Sequence, residues 1–263
     1  EQDAASAPSR GAEDDIYEAG ARTQSDAGAR TQSDAGARAQ SDDADAIASA
    51  VVRTHSGVGD AGSASDASVV DIVCHEPGAR FATGSPTHAF GPGQNNGQDQ
   101  FPGPVLGPPK GGAPCSGSTD VVSLGNGGWV VLEFAGNAIV DGPGPDFIVF
   151  ENPFAIACDP TQIFAELATV AVSNDGVTWK EFPCTATVPP YGFCSGWHVV
   201  NANADTNDID PTNPAVAGGD SYDLADVGVA SARYVRVTDR VDITGSAGVY
   251  DLDAVSIVHA ACP

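Results

Sequence analysis

The sequence predicts an all-β fold: a jelly-roll β-sandwich behind a disordered, low-complexity tether. Three observations predict it. From about Ser68 the chain consists of short β-branched and aromatic runs punctuated by Gly, Pro, Asn and Asp, which is the pattern of many short strands joined by turns. No stretch there carries a helical apolar period, apart from one candidate turn near 161–167. Before that point the chain has little to bury, because 1–66 is rich in Ala, Ser, Asp, Gly and Gln and contains one Tyr and no Phe or Trp.

The tether, 1–66, contains an octapeptide repeat: AGARTQSD at 19–26 and again at 27–34, then AGARAQSD at 35–42. The period is too short for a solenoid unit, which needs about 20 residues or more. No repeat offers a large apolar side chain to offset backbone entropy. A flexible chain of this length spans roughly 40–50 Å on average. It acts either as a spacer or as a neutral repeat expansion, and a short helix is possible at 45–52. Strands are expected at 69–74, 121–123, 129–134, 147–151, 165–173, 233–239 and 255–259, with a strand or turn at 222–226. The run WVVLEF at 129–134 partly alternates, as a half-buried strand does, whereas FIVF at 147–150 is apolar throughout, as in a central strand. The stretch 75–118 is read as a long Gly/Pro-rich loop insertion in the 67–263 domain, of the kind that is functional or mobile.

Eleven Lys plus Arg face 35 Asp plus Glu, a formal net charge of −24. That argues against nucleic acid and anionic bilayers, which need clustered cations, and favours solubility and cation attraction. There is no Met, which suggests a processed form with any export signal removed. No apolar run is long enough to span a membrane; a lipid anchor upstream of Glu1 stays open. The six cysteines form no CxxC, so disulfides and an oxidising compartment are expected rather than zinc. The expected pairs are Cys184 with Cys194, Cys115 with Cys158, and Cys74 with Cys262.

Four acidic groups are candidate cation ligands. In DGPGPD at 141–146, Gly and Pro force a tight turn that puts Asp141 and Asp146 at one rim, with Glu151 at the end of the next strand. Calcium takes six to eight oxygens from such groups; the alternative is a turn satisfying its own backbone. Asp220, Asp223 and Asp226, spaced by three, suit a turn better than a strand. Asp251 and Asp253 share a face if extended, and like charges so close call for a cation or for an arginine such as Arg233 or Arg236. Asp205, Asp208 and Asp210 sit in an Asn-rich stretch that matches no EF-hand spacing and reads rather as an exposed polar loop.

Catalytic motifs are lacking: there is no GxSxG, HExxH or GxxxxGK[ST]. Ser195 and His198 lie close in sequence without forming a triad. His75, His88, His198 and His259 are scattered, and more consistent with surface or structural roles than with a transition metal. Acid–base hydrolysis of glycosides by the carboxylates is a weaker alternative, because no spacing fixes the required separation.

VSNDGVTW at 172–179, followed by ARYVRV at 232–237, resembles the discoidin (coagulation-factor C-type) branch of galactose-binding-like jelly rolls. Asn-Asp-Gly supplies the positive-φ turn of a hairpin. The phrases DGPGPDFIVFENPF, GGDSYDLADVGV and YDLDAV, with the stretch Glu166–Trp179, all within about 121–260, also look like a narrower group of bacterial secreted or cell-surface proteins. This resemblance implies a sandwich fold, an exterior location, a structural calcium near strand ends and ligand loops at one end. The 75–118 insertion departs from the minimal pattern, so glycan-binding loops do not carry over.

The expectation is therefore a non-catalytic, calcium-binding module for surface display or adhesion. The alternatives are a carbohydrate-binding module using Trp129, Trp179, Tyr191 and Trp197, a hydrolase using the carboxylates, and a self-associating structural subunit of an extracellular assembly. Partners would be calcium and an extracellular glycan or surface protein.

Overall fold

The computed structural model describes residues 52–53, 71–72, 78–241 and 248–263. The octapeptide repeats and Cys74 lie outside these residues, as do most of the candidate helix at 45–52 and His75. Val52–Arg53, inside the segment expected to be tether, pairs with Asp71–Ile72 as a short antiparallel strand rather than a helix end. Val52 and Ile72 are register partners there.

The all-β antiparallel class expected from the sequence is what the structure shows. Among the described residues there is no α-helix, only 3-10 turns at Gly103–Val105, Ile156–Cys158 and Leu224–Val227. A five-stranded sheet runs in the order Lys180–Glu181, Ala168–Ser173, Tyr234–Asp239, Trp129–Glu133, Gly84–Ala89. A three-stranded sheet runs Asp220–Tyr222, Phe147–Phe150, Ala254–Ile257. Short pairs join Ile139–Val140 to Ser231–Ala232, Val122–Ser123 to Asp251–Leu252, and Phe154–Ala155 to Ile163–Phe164.

Alternation explains the packing. Val130 and Leu132, Val170 and Val172, and Val235 and Val237 all point from the larger sheet into one core. They meet Phe147, Val149, Tyr222, Val255 and Ile257 from the smaller sheet. Each such side chain contributes about 1.5–3 kcal/mol by leaving water. Phe147 stacks on Tyr222, with ring centroids 5.1 Å apart. On the other face of the small sheet, Ile148, Phe150 and Ala254 are covered by Val200, Ala202 and Ala217. The strand Phe147–Phe150 is apolar throughout because both of its faces are buried.

The 75–118 stretch is more ordered than a loop insertion. Its Gly84–Ala89 segment forms an edge strand of the large sheet, with a register shift between Gly84 and Thr87. Pro86 is tolerated there because an edge strand has one side free of ladder bonds. The opposite edge, Lys180–Glu181, is exposed and charged, which blunts edge-to-edge pairing. The candidate turn near 161–167 contains the strand Ile163–Phe164 instead.

Gly176 takes φ +71° in the hairpin joining Ala168–Ser173 to Lys180–Glu181. Asp175 closes this turn by accepting from the Val177 and Thr178 amides at 2.8 and 2.7 Å. These bonds hold its carboxyl low, at about 2. Trp179 lies under the Arg236 guanidinium, 4.7 Å from the ring centroid, so the two motifs behind the discoidin resemblance touch in space. Disulfides link Cys115 to Cys158 and Cys184 to Cys194, with Cα separations of 4.8 and 4.6 Å. The expected pairing of Cys74 with Cys262 lies outside the described residues.

Candidate metal centre

The carboxylates singled out in the sequence divide into three kinds by what their oxygens touch. The first kind forms a rim. The strand Ile139–Val140 delivers Asp141, the turn through Gly144 (φ +81°) returns the chain, and Asp146 opens the strand Phe147–Phe150. Asp223 arrives from the far side as the cap of the Leu224–Val227 turn, accepting from the Ala225 amide at 2.9 Å. One carboxylate oxygen from each of Asp141, Asp146 and Asp223 lies within 4.8 Å of the others. These three residues could hold a metal ion.

Asp146 is fully buried yet well supplied with donors. Its Oδ1 accepts from the Gly142 amide at 2.8 Å and from His259 Nδ1 at 2.7 Å. Its Oδ2 accepts from the Leu224 amide at 2.7 Å. Donors of this kind stabilise a buried carboxylate. The oxygens with spare capacity at the rim belong to exposed Asp141 and half-buried Asp223.

The second kind latches loops. Asp220 accepts from the Gly196 amide at 2.6 Å and from His198 Nδ1 at 2.7 Å, holding the 195–198 segment against the small sheet. Burial raises its carboxyl, and His198 and the loop amides offset part of that rise. Asp253 accepts from the Lys110 and Gly111 amides at 3.0 and 2.9 Å. Desolvation lifts it to about 7 against those two bonds. Asp253 spends both oxygens on backbone amides, and Asp220 divides its own between a backbone amide and the His198 ring. Asp226 is exposed on its 3-10 turn and joins neither group.

The third kind is a buried cluster that the sequence only partly indicated. Glu151 follows the strand Phe147–Phe150 and is 1% exposed. Its carboxyl is raised well above normal, first by desolvation and then by Glu166, Asp251 and Asp220; the Asn152 amide offsets a part without completing a hydrogen bond to either oxygen. Glu166 precedes the strand Ala168–Ser173 and is pushed up to about 8, by desolvation and then by Asp251, with the Val249 amide opposing. Asp251 is raised first by burial and also by Asp239, with the Ser123 hydroxyl opposing. It stands opposite Ser123 across the short strand pair. Asp239 differs, since its two oxygens accept from the Tyr250 and Gly127 amides at 2.8 and 2.9 Å. Below the cluster, Tyr250 Oη and Ser195 Oγ are 2.6 Å apart.

Glu166 was missed in the sequence. Its signal was a lone carboxylate in the apolar run FAELATV at 164–170, where a solvated Glu has no obvious place. Gly248 matches it in space, because a Cβ there would collide with the Glu166 carboxylate.

Apart from buried Ala202 and Asn203, the acidic stretch at 201–213 is a largely exposed polar loop. Asp205 bridges Lys110 at 3.1 Å with both groups half exposed, a contact worth about 0–1 kcal/mol. Asp210 closes an Asx turn on Thr212, and exposed Asp208 joins no cluster. Of the aromatic candidates, Tyr191 and Trp197 meet edge-to-face at 5.9 Å beside the Cys184–Cys194 disulfide. Trp129 and Trp179 belong instead to the region of the large sheet. Arg233 and Arg236 do not pair with Asp251 or Asp253; Arg236 approaches Glu181 at 3.9 Å.

No family model matches the chain, and no curated protein matches it. A solved structure described as a glycoside hydrolase is similar over 55% of this chain and 23% of its own, at 13% identity and a TM-score of 0.26. A likeness that slight carries no argument about activity.

Proposed function

We propose that the chain is an exported β-sandwich binding module of the discoidin-like kind, which takes calcium at its rim and displays a surface for adhesion without catalysis. The observation that carries this reading is the convergence of Asp141, Asp146 and Asp223 from separate loops at one place. An all-oxygen donor set suits a hard cation such as calcium. Asp146, locked by three donors, would serve as the rigid member of the site. The two described disulfides fit an oxidising compartment. Among the described residues, no helix is long and apolar enough to cross a membrane. A non-catalytic role is supported by the commitments of the polar groups: Ser195 bonds Tyr250, and His198 bonds Asp220 rather than Ser195.

The test is calorimetric titration of calcium into chelator-treated protein, for the wild type and for Asp141→Asn with Asp223→Asn. The double variant should lose one binding event or weaken it about tenfold or more, as expected when ligand charge is removed. Identical isotherms would sink the rim assignment. A second reading, a carbohydrate-binding module, is favoured by the Tyr191–Trp197 pair. Its test is a glycan array on which Trp197→Ala abolishes binding.

A further inference from the structure

We infer that a polar cleft between the 110–120 segment and the 203–206 turn binds the vicinal diol of a neutral sugar, held by Lys110, Asp120 and Asp205 with the hydroxyls of Ser116, Thr119 and Thr206. All six residues line one cavity of about 550 Å³, within the roughly 300–1,000 Å³ of small-molecule sites. The cleft shares no residue with the rim or with the Tyr191–Trp197 pair, and it stands whether or not either of those binds.

The walls of the cleft are fastened from behind. Buried Asn203 donates from Nδ2 to the Lys110 and Gly112 carbonyls at 2.8 and 3.2 Å, and its Oδ1 accepts from the Asp205 amide at 3.0 Å. One side chain therefore ties both walls together. Asn152 Nδ2 donates to the Ser118 carbonyl at 2.9 Å, and Asn96 Nδ2 to the Thr119 carbonyl at 2.7 Å. Asp253 accepts from the Lys110 and Gly111 amides, and the Cys115–Cys158 disulfide pins the same segment. A loop held in this way keeps its shape without a ligand, so binding orders little chain.

The backbone of the loop is bonded, but its polar side chains are not. Short polar residues in other exposed loops close turns on themselves: Asp159 accepts from the Thr161 amide, Asp210 from that of Thr212 and Asp223 from that of Ala225. In the cleft, the Ser116, Thr119 and Thr206 hydroxyls and the Asp120 carboxylate make no hydrogen bond with the described residues. Asp205 Oδ1 meets Lys110 Nζ at 3.1 Å, with both side chains about half exposed. That pair sets a charged donor beside a charged acceptor at the mouth of the cleft.

The chemistry of the lining selects the ligand. An anion is opposed by two carboxylates against one ammonium. An apolar molecule meets no aromatic or large aliphatic side chain there. A divalent ion lacks a third carboxylate, since the described residues bring three such oxygens within 4.8 Å only at the rim. Adjacent hydroxyls fit, because each one both donates and accepts. One hydroxyl of a diol accepts from Lys110 while its neighbour donates to Asp205, and Asp120 with the three protein hydroxyls serves the rest of the ring. Bonds to charged partners are the stronger kind, so the three charged residues should carry most of the affinity.

The experiment titrates the isotope-labelled full chain with methyl α-mannoside, methyl β-galactoside and methyl β-glucoside, which differ in the geometry of their diols, and follows the backbone amide signals by NMR. At least one glycoside should shift the signals of Gly112, Ser116, Gly117 and Thr206 saturably. No saturable shift there with any of the three overturns the site, and shifts confined to Trp197 and its neighbours overturn it in favour of the aromatic pair. A simple amine that saturates the cleft more tightly than every glycoside overturns the diol as the recognised group. Asp120→Asn and Asp205→Asn alter exposed side chains and should each weaken binding about fivefold or more, with an unchanged melting temperature. Unchanged affinity in both variants overturns the proposal. Trp197→Ala should leave the cleft titration as it was, and loss of binding in that variant places the sugar at the aromatic pair instead.

Discussion

The rim and the buried cluster use the same side chains and reach opposite electrostatic states. At the rim, Asp146 is entirely out of water, yet three donors meet its oxygens. In the cluster, Glu151 is equally buried and meets none. Burial by itself therefore does not set a carboxylate's state; what decides it is whether donors reach its oxygens. Asp220 and Asp253 make the same point, because their carboxylates are fully used in fastening the 195–198 and 110–111 segments.

Calcium removal is the largest lever on this contrast. A site saturated a thousandfold above its Kd adds about 4 kcal/mol, roughly 10 °C for a domain of this size. Most of the wild-type shift between calcium and chelator should vanish in Asp141→Asn with Asp223→Asn and survive in Glu151→Gln; the reverse assignment would break the comparison. Next in size is Asp146→Ala, which strands the Gly142 and Leu224 amides and His259. It should destabilise by about 3 kcal/mol, equally with and without calcium, as measured by urea unfolding. A calcium-dependent cost would show that Asp146 matters as a ligand more than as a strut. Asp253→Ala should cost about 2 kcal/mol and speed amide exchange at Lys110 and Gly111. The smallest effect belongs to Asp175→Ala, at less than about 1 kcal/mol because the group is solvent-screened. Its folded carboxyl lies at about 2, below the ordinary 3.8. Its contribution is therefore present above about pH 4 and lost as pH falls toward 2, so wild type and variant should converge in stability in acid.

The strands with strong local patterns were legible. FIVF at 147–150 and the alternating runs at 129–134 and 233–239 declare themselves through apolar content, and the Asn-Asp-Gly turn through its need for positive φ. The edge strand Gly84–Ala89 was not legible. It reads GSPTHA, holds no apolar alternation, and is recruited by the ladder of Trp129–Glu133 rather than by its own propensity. Among the acids, Glu151 and Asp251 stood out in sequence, whereas Glu166 was hidden and Asp253 looked like a ligand.

Composition and local pattern alone determined that this chain is acidic, β-rich, disulfide-bearing and stocked with turn-borne carboxylates. Those properties arise within a few residues of one another. Only the tertiary structure decided which carboxylates are satisfied. Asp253 meets Lys110 across 143 positions and Asp146 meets Leu224 across 78, and hydrogen-bond supply over such separations exists only once the sheets have closed.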